Sequence, residues 1–422
     1  MHPGRATSSG WSIRRLLRIA ERFVRMALAP VWIAIVVLLR AVRPLRVIRL
    51  GGINAGRLGH LVMDLEMFCS ERQAGVHSPT PGVTDLRYAW TGGLPVCNQL
   101  LLDLWKPRFT LGPHWLLQPL DTWNRKLPGG SRNAIPYRKG PEQLNQHNDL
   151  HDVLRRTRTQ LPCPPDLVRQ AERMLEHVRP GFDLYGRYVC IHVRDESYFA
   201  QWGDSPLVRD TTRNAAIDSY SDAITYLLDC GFEVVRLGAS TTSPMGFTHP
   251  RLWDYASDGS RSELLDIVLP RFCYFFISTL SGPDKLAQAF RRPILFTNLA
   301  PLKSIPLWMP NSLIAPKRYL YDDGANIPWR DVFKSEMYTE SESELKQRGV
   351  RLVHNTGDEL LDATREMVAR LSGVARDDSR SDDQWSVLLE HFPRYLLAGG
   401  VRARWAQVLM SDSVTHVTNV KS

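Results

Sequence analysis

The chain has 422 residues, of which 43% are hydrophobic and 23% are charged. This is the composition of a folded globular protein, and the length favours two domains. The net charge of +9 comes from residues 1–50, where ten Arg stand against a single acidic residue, Glu21, so the rest of the chain is neutral. A neutral body argues against an extended basic surface, and no nucleic-acid partner is predicted.

Residues 1–45 are predicted to form a membrane-associating arm. At about 100° per residue, the five Arg between positions 14 and 25 share one face of a helix, and apolar residues fill the other. Such a helix is typical of an anionic membrane surface. The uncharged run 26–39 would span about 21 Å as a helix, less than a bilayer core of roughly 30 Å, and Pro30 interrupts it. We therefore favour an interfacial or re-entrant anchor, with a tilted span or a signal peptide as alternatives.

The cysteines indicate the compartment of the body. Six are present, and none forms a Cys-x-x-Cys pair. This pattern favours free thiols in a reducing compartment. Together with the basic arm, it predicts attachment to the cytoplasmic face of the inner membrane.

A first α/β domain is predicted over residues 46–180. A strand at 46–50 and a helix at 61–70 are joined by the glycine-rich segment 51–60. Turns of this kind bind phosphates in some α/β proteins. The pattern is not Gly-x-Gly-x-x-Gly, so a plain tight turn is the alternative.

A second domain is predicted over residues 181–371, followed by a linker at 372–384 and a C-terminal helix and tail at 385–422. Apolar runs predict strands at 188–193, 232–237, 274–278 and 293–297, and helical patterns separate them. Strands and helices that alternate at this spacing indicate right-handed crossovers and a parallel sheet.

Two polar segments are predicted to meet at the carboxyl edge of this sheet, where open α/β sheets bind ligands. The first is the strand end that carries His192 and Arg194, since Arg offers a planar fork of donors for phosphate. The second is the loop 278–282, which opens onto a helix N-terminus that favours anions. With Arg213, they predict a diphosphate site. The alternatives are a structural ion pair between Arg194 and its acidic neighbours, and an ordinary strand-to-helix turn.

Five motifs resemble, in this order, a family of uncharacterised bacterial proteins assigned as glycosyltransferases. They are Cys-Ile-His-Val-Arg-Asp-Glu-Ser-Tyr at 190–198, Arg-Asn-Ala-Ala-Ile-Asp-Ser-Tyr at 213–220, Asp-Tyr-Ala at 254–256, Phe-Phe-Ile-Ser at 275–278 and Pro-Ile-Leu-Phe-Thr-Asn at 293–298. The family is remotely similar to α-1,6- and O-fucosyltransferase-like enzymes, in which a His-x-Arg strand end grips a nucleotide-sugar diphosphate. The chain departs from the pattern at Leu280, where a polar residue is expected, and at Thr211 and Thr212, where an aromatic one is.

The resemblance implies an α/β fold of the GT-B-like kind, with two Rossmann-like domains facing a cleft. It implies transfer of a sugar from a nucleotide-sugar donor to a saccharide or lipid-linked acceptor in surface polysaccharide biosynthesis. On this interpretation the donor is bound by His192, Arg194, Arg213, Asn214, Ser278, Thr279, Ser281 and Gly282. His60 and Asp195 are the candidate catalytic bases. No cofactor is expected, and no metal, because no Asp-x-Asp cluster lies near a predicted strand end. The alternative is a catalytically inactive, membrane-bound scaffold.

Overall fold

The computed structural model describes residues 27–76, 81–135, 148–197, 211–374 and 379–410. The predicted basic face at residues 14–25 lies outside them.

The chain is a mixed α/β protein with parallel sheets. The strands are β1 (Val47–Asn54), β2 (Val83–Trp90), β3 (Thr110–Leu111), β4 (Tyr188–His192), β5 (Glu233–Arg236), β6 (Leu252–Trp253), β7 (Phe275–Ser278), β8 (Ile294–Leu299), β9 (Leu313–Pro316), β10 (Arg318–Tyr321), β11 (Val350–Val353) and β12 (Arg404–Trp405). The helices are α1 (Ala29–Ala41), α2 (Leu58–Gln73), α3 (Gln99–Trp105), α4 (His114–Lys126), α5 (Val153–Arg156), α6 (Pro165–Val178), α7 (Ser221–Asp229), α8 (Glu263–Phe272), α9 (Asp284–Ala289), α10 (Trp329–Lys334), α11 (Glu342–Gln347), α12 (Gly357–Leu371), α13 (Ser379–Leu389) and α14 (Arg394–Leu397).

Two compact units divide the chain differently from the predicted domains. Within the described residues, unit 1 comprises 27–54, 81–92 and 106–135, and unit 2 comprises all the others. The predicted boundary at residue 180 is therefore not the one observed. The helices that follow β1 and β2 along the chain belong to unit 2, because α2 packs against α9 and α3 packs against α8.

Unit 1 is a parallel sheet in the order β1-β2-β3, with α1 and α4 packed together beside it. Its core contains Val36 of α1 next to Leu50, Tyr88, Leu117 and Leu120. The predicted arm of residues 1–45 is thus not a detached segment in its described part, because α1 supplies core to the unit. No described helix is both long and apolar enough to cross a membrane.

The predicted glycine-rich turn, residues 51–60, is strand at its start and helix at its end, so only residues 55–57 connect the two elements. β1 continues through both glycines to Asn54, and α2 starts at Leu58. A Cβ at Gly51 would lie 3.0 Å from Ile135 Cβ, and one at Gly52 would lie 3.2 Å from the Tyr88 ring. The two glycines therefore allow close packing inside unit 1, which is a different role from the phosphate-binding one that their pattern suggested.

Unit 2 contains a parallel seven-stranded sheet in the order β12-β9-β8-β7-β4-β5-β6. From β4, the chain adds β5 and β6 on one side and then returns to add β7, β8 and β9 on the other. β4 and β7 are neighbours, so the direction of winding reverses between them, as in doubly wound dinucleotide-binding sheets. The four predicted strands are confirmed to within two residues at each end, as is the predicted parallel sheet.

The C-terminal region also differs from the prediction in its bounds. The predicted linker 372–384 ends inside α13, since that helix starts at Ser379. Helix α13 is packed within unit 2, because Trp385 is buried and its ring centroid lies 5.7 Å from that of Trp405.

Candidate functional site

The candidate site lies in unit 2, at the carboxyl ends of β4 and β7. His192 and Ser278 are the last residues of their strands and stand opposite each other in the register. The gap beyond two such strands, where the winding direction reverses, is where doubly wound sheets bind ligands. The two polar segments that the sequence analysis expected to meet are therefore brought together.

Arg194 follows β4 and is 5% exposed. Its backbone N–H donates to Thr279 Oγ1 at 3.1 Å, and its carbonyl accepts from the backbone N–H of Ala215 at 2.9 Å. Arg194 is thus fixed between the loop after β7 and the segment that contains Arg213 and Asn214. The position of Arg194 just past the strand end did not by itself predict this burial.

The loop after β7 is organised by a carboxylate, that of Asp284, which is fully buried. Its Oδ2 accepts from the Ser278 hydroxyl and from the Ser281 backbone N–H, both at 2.6 Å, and its Oδ1 accepts from Gln288 Nε2 at 2.8 Å. The Leu280 N–H donates to Ser278 Oγ at 3.1 Å. The backbone N–H of Ser281, one of the residues predicted to bind the donor, is therefore bonded within the loop itself, as is that of Leu280.

Lys285 is a cation at this site that the sequence analysis missed. It is 8% exposed, and its Nζ lies 3.7 Å from Asp284 Oδ1, which is too long for a strong hydrogen bond. Burial lowers the pKa of Lys285; the Asp284 carboxylate opposes this effect, and the charge of Arg213 adds to it. An anion bound near Lys285 and Arg213 would favour the charged form of Lys285.

The segment from Arg213 to Ala215 lies across the strand ends. Arg213 Nη1 donates to the Leu280 carbonyl at 3.4 Å, and the Asn214 side chain donates to Glu196 Oε1 at 3.2 Å. Lys317, which directly follows β9 and is buried, donates its ammonium to the Asn214 carbonyl at 2.8 Å. These contacts hold Arg213 close to the loop after β7.

His192 has a defined tautomer. Its Nδ1 lies 2.8 Å from the Leu237 carbonyl, which can only accept, so Nδ1 carries the proton. Burial lowers the pKa of His192, despite that hydrogen bond and the nearby Asp284 carboxylate. The ring is therefore neutral at pH 7 with an acceptor at Nε2. In this state it can accept a hydroxyl proton, whereas it has no hydrogen to donate to a phosphate oxygen from that nitrogen.

Asp195 is held by hydrogen bonds. It accepts from the backbone N–H and hydroxyl of Ser197, at 2.9 and 2.5 Å, and from those of Thr242, at 2.8 and 3.1 Å. Burial raises the pKa of Asp195, but these four bonds outweigh it and lower the pKa overall. A carboxylate with a low pKa and occupied lone pairs is a weak base, so this geometry disfavours Asp195 as the catalytic base.

His60, the other candidate base, lies in the first turn of α2. Its Nδ1 is 3.1 Å from Asp64 Oδ2, which orients the ring. The start of this helix approaches the loop after β7 closely, because a Cβ at Gly59 would lie 3.6 Å from Gly282 Cα and 3.4 Å from Lys285 Cγ. Gly282 thus serves as a point of close contact within unit 2.

Other residues of the resembling motifs form a polar scaffold behind the site. The Tyr220 hydroxyl lies 2.8 Å from Thr297 Oγ1 and accepts from Asn298 Nδ2 at 3.0 Å. Asp254 pairs with the buried Arg236 of β5 at 3.4 Å. These motif positions therefore support the strand ends. In the described residues, no group of three or more His, Cys, Asp or Glu side chains is arranged to hold a metal ion.

Comparisons with known proteins gave structural similarities at low sequence identity. No protein-family model matches this chain, and no curated protein matches it in sequence. Among solved structures, Escherichia coli ADP-heptose LPS heptosyltransferase II has a TM-score of 0.44 at 11% identity, over 77% of this chain and 100% of that one. A glycosyl transferase family 9 protein from Veillonella parvula has a TM-score of 0.44 at 10% identity, over 77% and 97%. The dodecameric iron-containing glycosyltransferase TibC from enterotoxigenic E. coli has a TM-score of 0.31 at 16% identity, over 60% and 59%. All three TM-scores lie below 0.5, so neither the fold class nor the function of this chain is taken from these proteins.

Proposed function

We propose that this chain is a glycosyltransferase of the GT-B kind, which moves a sugar from a nucleotide-sugar donor to a saccharide or lipid-linked acceptor in surface polysaccharide biosynthesis. One observation carries the proposal. A doubly wound sheet places a buried Arg194, the cations Arg213 and Lys285, and a neutral His192 around one polar loop at its switch point. A diphosphate carries the negative charge that this group of cations would bind.

The reaction assigns a task to each group. The acceptor hydroxyl oxygen forms a bond to the anomeric carbon, the bond from that carbon to the diphosphate oxygen breaks, and the nucleoside diphosphate leaves with the bonding electrons. Arg194, Arg213 and Lys285 stabilise the charge that develops on the leaving diphosphate. The hydroxyl proton passes to a base, for which the imidazoles of His192 and His60 are suited in the tautomers that their Nδ1 contacts favour.

The other residues predicted to bind the nucleotide-sugar donor would act through the loop after β7. Ser278 and Thr279 are buried and bonded to Asp284 and to the Arg194 backbone, so we assign them the positioning of Arg194 and of the loop. We assign contact with the donor to the Ser281 hydroxyl and the side-chain oxygen of Asn214, which can accept from a donor hydroxyl. We propose that the protein needs no metal, because fixed cations at the leaving diphosphate supply the charge that a metal ion would otherwise provide.

A second candidate, a catalytically inactive membrane-bound scaffold, is favoured by the state of the loop. Two of its N–H groups are already engaged by Asp284 and Ser278, and Leu280 stands where the resembling family has a polar residue. A scaffold would keep the fold and bind no donor.

Titration calorimetry of the full chain against nucleoside diphosphates and their sugars separates the two candidates. The transferase should bind at least one of them in EDTA, and should release nucleoside diphosphate from its donor when lipid-linked saccharide acceptors are added. A ligand at 100 times its dissociation constant stabilises a protein by about 2.7 kcal/mol. At equal concentration, the ligands that bind more tightly should therefore raise the melting temperature more. No binding by any base or sugar would favour the scaffold, and activity restored only by Mn²⁺ or Mg²⁺ would contradict the metal-free mechanism.

A further inference from the structure

Exposed apolar side chains are concentrated on α1 and the residues beside it. Leu28, Val31, Leu38 and Val42 are between 41% and 66% exposed, and at 100° per residue they share an arc of about 80°. Leu45, three residues further on, is 86% exposed. These five residues form the apolar stripe. Large apolar residues gathered in one patch mark an interaction surface more often than the same residues scattered singly.

The adjoining face of α1 is fixed to unit 1. Val36 is fully buried in its core. Arg40 donates to Asn124 Oδ1 at 3.2 and 3.0 Å and to the carbonyls of Asn124 and Pro128 at 2.8 and 2.7 Å. Gly130 makes room for this arrangement, since a Cβ there would lie 1.9 Å from the Asn124 carbonyl oxygen. The stripe is thus held on a rigid element.

The charge at the end of α1 is positive. Arg43 donates to Asn133 Oδ1 at 2.6 Å and to the Gly129 carbonyl at 2.9 Å, so the hydrogen-bond acceptors of Arg40 and Arg43 in the described chain are neutral. Burial and the neighbouring charges of Arg40 and Arg132 lower the pKa of Arg43. Three cations therefore lie near the C-terminal end of α1, outside the arc of the stripe. The sequence that precedes α1, residues 1–26, contains six Arg and one Glu.

We propose that the apolar stripe inserts into the interfacial region of an anionic bilayer, with the cluster of Arg40, Arg43 and Arg132 at the headgroups. An apolar face with cations on the remaining surface is the pattern of interfacial helices, which enter to a depth of about 5–10 Å. A second copy of the chain fits less well, because pairing the stripe with itself brings like charges together. A transmembrane helix also fits less well. The thirteen residues of α1 measure about 20 Å, which is shorter than a bilayer core of roughly 30 Å, and one side of the helix is packed in the core of unit 1.

The test uses the full-length chain and flotation with vesicles of phosphatidylcholine alone or mixed with phosphatidylglycerol. Binding to the mixed vesicles should exceed binding to the neutral ones and should weaken with salt. Leu38→Glu should reduce the partition coefficient on mixed vesicles roughly tenfold or more. Val387→Glu is the matched control, because Val387 is also exposed, at 58%, but lies on α13 of unit 2. That variant should bind vesicles like the parent chain.

Two outcomes would overturn the proposal. One is equal partition of Leu38→Glu and the parent. The other is a change of oligomeric state in Leu38→Glu, seen by light scattering, without a change in partition, since it would make the stripe a protein interface. Leu38→Ser guards against a folding artefact, because it removes the apolar group without adding charge. This proposal is independent of sugar transfer. Vesicle partition tests the stripe, whereas the nucleotide affinity of the same variants tests the site in unit 2 and should not change.

Discussion

The Asp284 carboxylate gives a prediction whose size follows from its contacts. Asp284→Asn keeps the shape of the side chain and removes its charge. The bonds from Ser278 and Ser281 then become neutral, and an amide NH2 replaces Oδ1, so that Gln288 must turn its amide group to accept where it donated. Hydrogen bonds to charged groups contribute about 1.5–3 kcal/mol and neutral ones about 0.5–1.5, so each bond loses about 1 kcal/mol. The free energy of unfolding should therefore fall by about 3 kcal/mol.

The assay is urea unfolding followed by tryptophan fluorescence, with Asp362→Asn as the control. Asp362 pairs with the exposed Arg365, and its loss should cost less than about 0.5 kcal/mol. Asp284→Asn also leaves Lys285 without its counter-ion, so adding Lys285→Met should cost less than the sum of the two single changes. A loss below about 1 kcal/mol in Asp284→Asn would refute the view that this carboxylate organises the loop.

Three further predictions concern neighbouring groups. Lys285→Met should weaken nucleoside-diphosphate binding about tenfold in calorimetry and leave the urea midpoint unchanged or higher, because it removes a buried and poorly paired cation; a lower midpoint with unchanged affinity would contradict this. Arg291→Met should cost about 3 kcal/mol of unfolding free energy, since it leaves Glu66 buried without the guanidinium 2.8 Å away; a cost below about 1 kcal/mol would contradict the pairing. His192 has a lowered pKa, so below about pH 6.5 the unfolded chain binds more protons and stability falls as the pH drops. His192→Gln should make the difference in stability between pH 7.5 and pH 5 smaller, and an equal difference would argue against a neutral His192.

The sheet of unit 2 could be predicted because its strands are continuous apolar runs. Burial on both faces of a parallel sheet requires such runs, and β4 and β7 carry them. Their last residues, His192 and Ser278, were placed at one edge because parallel strands end on the same side. The order of the strands then fixes the switch point, which no local pattern reveals.

The role of α1 could not be predicted from its composition. An apolar run that ends in Arg40 has the same pattern whether it enters a bilayer or packs on a protein. The buried half becomes evident only where Val36 meets Leu50 from the following strand. Likewise, Gly51 and Gly52 resemble a phosphate-binding turn until their neighbours, which come from distant positions in the chain, are known.

Lys285 and Asp284 were missed for a related reason. Acidic and basic residues in the first turn of a helix are ordinary on a solvated surface, and the Asp-Lys pair after Pro283 carries no motif. What sets them apart is that both are buried. Helix α2 contributes to the burial of Lys285, because Gly59 packs close to its side chain. A lysine next to a polar loop that follows a buried strand was the only available signal.

The most direct test of the central claim is nucleotide binding by Arg194 variants, measured by calorimetry with the nucleoside diphosphate that binds the parent chain best. Arg194→Lys keeps the charge but loses the planar fork, and it should weaken binding about tenfold or more, while Arg365→Lys on the surface should have no effect. Arg194→Ala should abolish measurable binding in protein that remains folded by circular dichroism. Unchanged affinity in folded Arg194→Lys and Arg194→Ala would contradict a diphosphate site at the switch point of this sheet.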